Sequence, residues 1–320
     1  MKLVFPPDAT DSLQHGAGGA SPTGPARRFL HPARIVMDRG AVLAVGFVAG
    51  ICVGISFDLR RPAPPPQPAP VSVPVSTPQS SPPLPAEDAV DRRVVARVAQ
   101  RGIVRVGVFG DSFGVGLWEA LDHQLPRDKG FEVLRFAKEA TGFTQYHRLN
   151  LEDRAREQLA ADPVDVAVIC FGANDAVPFY DAGHELPLLS EGWKRVVGER
   201  IDRFVAVTRS TGAAVYWVGL PAMRDARLDA SIQAMNAFYA EHMRRLNVPF
   251  LETRSLSVDA EGRYAAYLPD DKTGARKLIR TNDGVHMLGV GYQHLTQGLA
   301  SSIAAMRDKL RAGTGTDRAR

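Results

Sequence analysis

In the stretch "GVFGDSFGVG" Ser112 stands two residues after Gly110 and two before Gly114, directly behind the apolar run 104–109. Gly-x-Ser-x-Gly in that position marks a tight strand-to-helix turn that exposes a nucleophilic hydroxyl. Such a hydroxyl attacks a carbonyl only when a base removes its proton. The chain has eight histidines. His15 and His31 precede a long apolar segment, and His123, His147, His184, His242 and His294 have no acid at a purposeful short spacing. His286 differs, because in "TNDGVHM" Asp283 precedes it by three residues and Gly284 permits a turn. Asp283 can then accept the Nδ1 proton and leave Nε2 to face a serine. A third group comes from "FGAND" at 171–175, which puts the Asn174 carboxamide at the end of the most hydrophobic run. A carboxamide there can donate to a developing oxyanion, an interaction worth about 2.7–4 kcal/mol. Each group read singly has a plainer role: the glycines in close packing, Asp283 as a helix cap, Asn174 as a turn former. Read together they spell serine-based acyl transfer. The glycine-rich stretch has neither the dinucleotide pattern with its ribose-binding acid nor a P-loop Lys-Ser/Thr, so no nucleotide cofactor is expected. The histidines lack ligand spacing, so no metal is expected either.

These residues need elements to hold them. The runs 104–110, 131–137, 164–172, 213–221 and 248–255 are short and rich in Val, Ile and aromatics, which predicts five strands. Helical patterns separate them. In the last, Leu288, Tyr292, Leu295, Leu299, Ile303, Met306 and Leu310 recur at steps of three and four, one apolar stripe facing a core. Strands alternating with helices, several apolar throughout, predict a parallel sheet covered on both faces. Ligands of such sheets bind beyond the carboxyl ends of the strands. Ser112, Asn174 and the 221–224 loop all fall there.

The set "GDS", "ATG", "GAND" and "DGVH", in that order across 104–310, resembles the SGNH (GDSL-type) hydrolases. The resemblance implies an α/β fold, a three-layer α/β/α flavodoxin-like domain with a parallel five-stranded sheet. It also implies Ser112 as nucleophile, Asp283 and His286 as its partners, and an oxyanion hole from the Ser112 and Gly142 N–H groups with the Asn174 amide. Acid and base three residues apart near the end of the chain set it apart from α/β-hydrolases, where they come from separate loops. With its apolar and proline-rich leader, the chain is similar to a membrane-anchored bacterial branch of that family whose function is unknown.

The leader has its own grammar. Residues 1–34 are rich in Gly, Ala, Pro and Ser, too poor in large apolar groups to offset ordering entropy, and are expected to form a disordered cytoplasmic tail. Residues 40–57 carry no charge and, at about 27 Å as a helix, just span a bilayer core. We expect an uncleaved signal anchor over 35–59, because the apolar core starts late and no small-x-small cleavage site follows. Lys2, Arg27, Arg28, Arg34 and Arg39 precede it against Arg60 and Arg61 behind, which favours a cytoplasmic N-terminus and an extracytoplasmic, periplasmic hydrolase domain at a bacterial inner membrane. Residues 60–86 hold eleven prolines and predict a polyproline stalk of roughly 75 Å. The domain proper is expected over 87–320.

Composition excludes several classes. At 320 residues and 45% hydrophobic the chain can bury a full core. A net charge of +4 comes from scattered Lys and Arg, without the basic and aromatic interleaving of a nucleic-acid surface. The two cysteines, Cys52 and Cys170, lie in separate apolar runs, an improbable disulfide. Substrate identity stays open among three readings: an O-acyl esterase or acyltransferase acting on extracytoplasmic glycan, a lipase or lysophospholipase, and a non-catalytic glycan-binding module. Residues 256–280 interrupt the strand–helix rhythm and are expected to form a hairpin-like insertion at the site mouth. There Tyr264, Tyr267 and Arg280 are candidates for sugar stacking or anion pairing, the alternative being a surface hairpin with solvated charges, and Arg224 after the fourth strand either contacts an anionic substrate or pairs with Asp225.

Overall fold

The structure, a computed structural model, describes residues 90–270 and 273–317. The expected tail, anchor and stalk, 1–86, lie outside the described residues; among the described residues no helix is long and apolar enough to cross a membrane.

The chain opens with α1 (Arg92–Arg101), β1 (Val104–Gly110), α2 (Ser112–Gln124) and β2 (Phe131–Arg135). It continues through α3 (Leu151–Ala161), β3 (Val166–Cys170), and the small hairpin β4 (Phe179–Asp181) and β5 (His184–Leu186). Then come α4 (Glu191–Arg209), β6 (Ala214–Val218), α5 (Ala226–Arg245) and β7 (Phe250–Leu251). A second hairpin, β8 (Tyr267–Pro269) with β9 (Arg276–Leu278), precedes the last helix, α6 (Gly289–Asp317). The main sheet has the order β2-β1-β3-β6-β7. Every pairing in it is parallel, with Val106 opposite Val133, Val108 opposite Val168, Val168 opposite Tyr216 and Trp217 opposite Phe250. This is the flavodoxin-like order, whose chain reversal at β1 and β3 leaves a crevice beyond the strand ends.

Burial explains why the strands were readable. All five residues of β3 are buried, and β1 is buried at six of seven positions, as a sheet covered on both faces requires. On one face α2 packs against α6. On the other the Phe204 ring of α4 lies edge-on to Phe109 at 5.7 Å, and Trp193 meets Phe238 of α5 at 5.7 Å. The α6 stripe is buried at Tyr292, Leu295, Leu299, Ile303 and Met306, each buried aliphatic side chain contributing about 1.5–3 kcal/mol. Leu288 stays exposed, since it precedes the helix. At the far end of the sheet the buried Asp165 accepts from Arg97 at 3.1 Å and Arg101 at 2.6 Å, tying α1 to the start of β3.

Candidate active site

The first functional turn is set by two neighbours in sequence. Gly110 ends β1 with φ 153°, and a Cβ there would lie 2.2 Å from the Cys170 carbonyl oxygen. Only glycine fits so tight an exit. Asp111 then caps α2, its carboxylate accepting from the Phe113 N–H at 2.9 Å, so that Ser112 is the first helical residue and its N–H has no intrahelical acceptor.

Across from it the 281–286 turn is built around one carboxylate. Asp283 Oδ1 accepts from the Val285 N–H at 2.8 Å, the His286 N–H at 3.0 Å and the Thr281 hydroxyl at 2.6 Å. Its Oδ2 lies 2.7 Å from His286 Nδ1, and His286 Nε2 lies 2.7 Å from Ser112 Oγ. Partial burial pushes the Asp283 carboxyl up, but donation from Thr281, the imidazole and the two N–H groups outweighs it and holds the group well below the usual carboxylate range. An ionised Asp283 fixes the proton on Nδ1, leaving Nε2 to accept the Ser112 O–H. The Phe113 ring stacks on the imidazole at 5.3 Å and 24°, restricting its tilt.

The third cluster joins the loops after β2 and β3. Asn174 Nδ2 donates to the Thr141 carbonyl at 3.0 Å and lies 3.4 Å from Asp111 Oδ2, so the carboxamide sits between the Thr141–Gly142 peptide and the Ser112 turn. The Gly142 N–H has no acceptor among the described residues. A Cβ at Gly142 would meet Asp175 Oδ1 at 2.4 Å, which is why glycine stands there. The buried Asp175 in turn accepts from the Phe143 N–H at 3.1 Å and from the Thr144 N–H and hydroxyl at 2.8 Å each.

Asp111, Asp175, Thr281 and Phe113 were missed by sequence reasoning. The only signal was their adjacency: each lies within five residues of a group that was singled out. Burial pushes the Asp111 carboxyl up to about 7, the Phe113 N–H opposing and the nearby Asp175 charge reinforcing the rise. Because this value lies above the ordinary 3.8, the folded state holds the proton more tightly than the unfolded one. The resulting stability is fully present below about pH 4 and lost as pH rises through about 7. Asp111→Asn keeps an oxygen for the Phe113 N–H and cannot ionise. Its stability relative to the wild type should therefore increase by about 2–4 kcal/mol between pH 4 and 8. Denaturant titrations across that range test this, and parallel wild-type and variant profiles would sink it.

The remaining candidates divide. Arg224 is exposed at the turn, its guanidinium donating to the Asn282 carbonyl at 2.7 Å while its N–H bonds the Gly284 carbonyl at 2.9 Å. Arg280 does not face a ligand and the expectation of an anion contact is corrected. It is 1% exposed, and its guanidinium donates to Val285 O at 3.1 Å and Ala222 O at 2.6 Å while covering the Tyr264 ring at 5.0 Å. It clamps the 281–286 turn to the loop after β6. Tyr264 is thereby committed to Arg280, whereas Tyr267 is 47% exposed on the β8–β9 hairpin, which forms within the expected insertion. The four blocks, Ser112, Gly142, Asn174 and the Asp283–His286 turn, thus lie at one end of the sheet.

No curated protein matches the sequence. Among solved structures the chain is similar to a GDSL-like lipase from Bacteroides thetaiotaomicron, at 17% identity over 68% of this chain and 99% of that one, TM-score 0.43. It is also similar to the lipopolysaccharide acetyltransferase periplasmic domain of Salmonella ser. Paratyphi A, at 9% identity over 66% and 87%, TM-score 0.47. An acetyl xylan esterase aligns at 17% identity over 62% and 100%, TM-score 0.44. The family model described as "Protein of unknown function (DUF459)" matches residues 105–302, well over half of the chain, and the chain belongs to that family.

Proposed function

We propose that the chain is a serine-dependent ester hydrolase or acyltransferase of SGNH type. The observation that carries this reading is the unbroken relay Ser112 Oγ, His286 Nε2, His286 Nδ1, Asp283, with both links at 2.7 Å. Ser112 attacks an ester carbonyl as His286 takes its proton, and Asp283 stabilises the imidazolium. The oxyanion falls to the Ser112 and Gly142 N–H groups and to Asn174, which exchanges its long contact with Asp111 for the substrate oxygen. The imidazolium then protonates the leaving alcohol. Water, or a sugar hydroxyl in the transferase variant, gives its proton to His286 and takes the acyl group, and the imidazolium returns that proton to the departing Ser112 Oγ.

For the substrate we propose an O-acyl, short-chain ester on an extracytoplasmic glycan, with residues 40–57 as anchor, 60–86 as stalk and the domain on the periplasmic side. The length of the stalk supports this, since reach is useful toward an immobile polymer and superfluous toward the membrane itself. A lipid ester has one observation in its favour: Val177 and Tyr180, 45% and 71% exposed around β4, follow the Asn174 turn and offer apolar surface to a longer acyl chain. The full chain assayed on p-nitrophenyl acetate, butyrate and decanoate separates the readings. Acetate should give a kcat/KM at least tenfold above decanoate. The reverse order assigns the site to lipids, and no turnover of any ester would overturn the enzyme reading.

A further inference from the structure

Outside the Ser112 site a groove of about 420 Å³ lies between the β8–β9 hairpin and α6, a volume typical of small-molecule sites. Its α6 wall is a single stripe, Val290, Gln293, His294 and Gln297, the three- and four-residue spacing of one helix face. The side chains of Gln293, His294 and Gln297 carry no hydrogen bond to any described residue, although the Gln293 and Gln297 carbonyls are engaged. The facing wall holds Leu268, Ile279 and Lys277, and the Lys277 ammonium is paired with Asp270. The end of α2 closes the groove: Gln124 donates to the Gln293 carbonyl at 2.8 Å and accepts from Thr296 at 2.7 Å.

We infer that this groove binds an uncharged oligosaccharide, as a distal subsite for the glycan whose ester Ser112 attacks; the assignment rests on the acyl-transfer reading of that site. Its chemistry selects the ligand class. Unspent amides and an imidazole present donors and acceptors side by side, which a row of ring hydroxyls satisfies and an acyl chain leaves unmade. The apolar wall takes the C–H faces of sugar rings. With its lysine already neutralised, the described lining gives no net charge to hold an anion. Position matches the same polymer. Val290 follows His286 by four residues and Ile279 precedes Thr281 by two, the Leu288 N–H bonding the Ile279 carbonyl at 2.9 Å, so the chain on both sides of the catalytic turn lines the groove. Gln124 stands twelve residues, about 18 Å of helix, beyond Ser112. A ligand reaching both must be a chain, not a single ring.

The full chain carrying Gln293→Ala and Gln297→Ala tests this on O-acetylated hexasaccharides of xylose and of N-acetylglucosamine. The expected result is a tenfold rise in the KM for a hexasaccharide relative to that for p-nitrophenyl acetate, with kcat on the hexasaccharide held. Gln297→Ala alone removes only an exposed amide and is expected to give about a threefold rise, which keeps the test readable if the double variant does not fold. An unchanged ratio for both hexasaccharides, or a rise confined to p-nitrophenyl decanoate, overturns the subsite. If the wild type cleaves no ester, the acyl-transfer reading fails and the groove is decided separately. Deacetylated hexasaccharides should then bind the Ser112→Ala protein and lose about tenfold in affinity on the double substitution; no binding, or binding insensitive to it, overturns the subsite as well.

Discussion

Replacing Ser112 by alanine is expected to lower kcat for p-nitrophenyl acetate by about 10⁵-fold, some 7 kcal/mol of barrier. The reasoning is local. His286 Nε2 has one hydroxyl at 2.7 Å, and with it gone the imidazole has only water to activate, without the covalent step. His286→Ala should lose as much, because a hydroxyl without a base is a poor nucleophile. The double variant should be no worse than either, since groups acting as one unit lose their joint contribution once. Asp283→Asn is expected to cost about 10³–10⁴. An amide in place of Asp283 must turn its NH₂ either toward His286 Nδ1–H or toward the Val285 and His286 N–H groups, and each choice opposes donor to donor. A Ser112→Ala protein retaining more than about a tenth of wild-type turnover, or single and double losses that multiply, would place the chemistry elsewhere.

The sequence carried the sheet because its strands are buried on both faces, and continuous apolar runs have no other stable use at that length. All five expected strands form, and each but the first is shorter than its apolar run. The excess residues are those that leave the sheet to build loops. Gly172 turns away at φ 140°, and beyond β7 the Thr253 hydroxyl reaches back to the Gly219 carbonyl at 2.7 Å while Arg254 pairs with Asp229 at 2.6 Å. The Asp283–His286 turn was legible because both partners and the glycine between them are contiguous. Asp111 and Asp175 were not, for a different reason. Their partners are backbone N–H groups, the local one of Phe113 and the distant one of Gly172 for Asp111 and those of Phe143 and Thr144 for Asp175, and any residue supplies an N–H. Arg280 misled for a related reason. An arginine in a polar insertion reads as exposed until Ala222 and Val285 are known to place their carbonyls around it. Tyr180 and its hairpin left no apolar periodicity to read, being three-residue strands on the surface.

Asp175→Ala is expected to be the most damaging single change to the fold near the site, costing about 3–5 kcal/mol. The carboxylate is fully buried, and burial raises its pKa against the pull of the Thr144 and Phe143 donors and the nearby Arg200. Alanine leaves the Phe143 and Thr144 N–H groups and the Thr144 hydroxyl without an acceptor in a space closed to water. For a domain of this size about 2–4 °C of Tm accompanies each kcal/mol, so Tm should fall by roughly 10 °C. The consequence reaches the chemistry through Gly142, whose backbone lies against Asp175 Oδ1. Without that carboxylate the 142–145 turn loses its tie to the Asn174 loop, and the Gly142 N–H and the Asn174 amide no longer hold one geometry. Turnover measured well below the variant's Tm should therefore drop about 10²-fold, the scale of one lost oxyanion donor. Asp175→Asn separates the two effects. Its oxygen can still accept from Thr144, while its NH₂ opposes only the Phe143 N–H, so its Tm should lie between those of alanine variant and wild type. A variant of either kind that melts with the wild type, or that melts early yet turns over ester at the wild-type rate, would show that this carboxylate neither holds the loop nor aligns the donors.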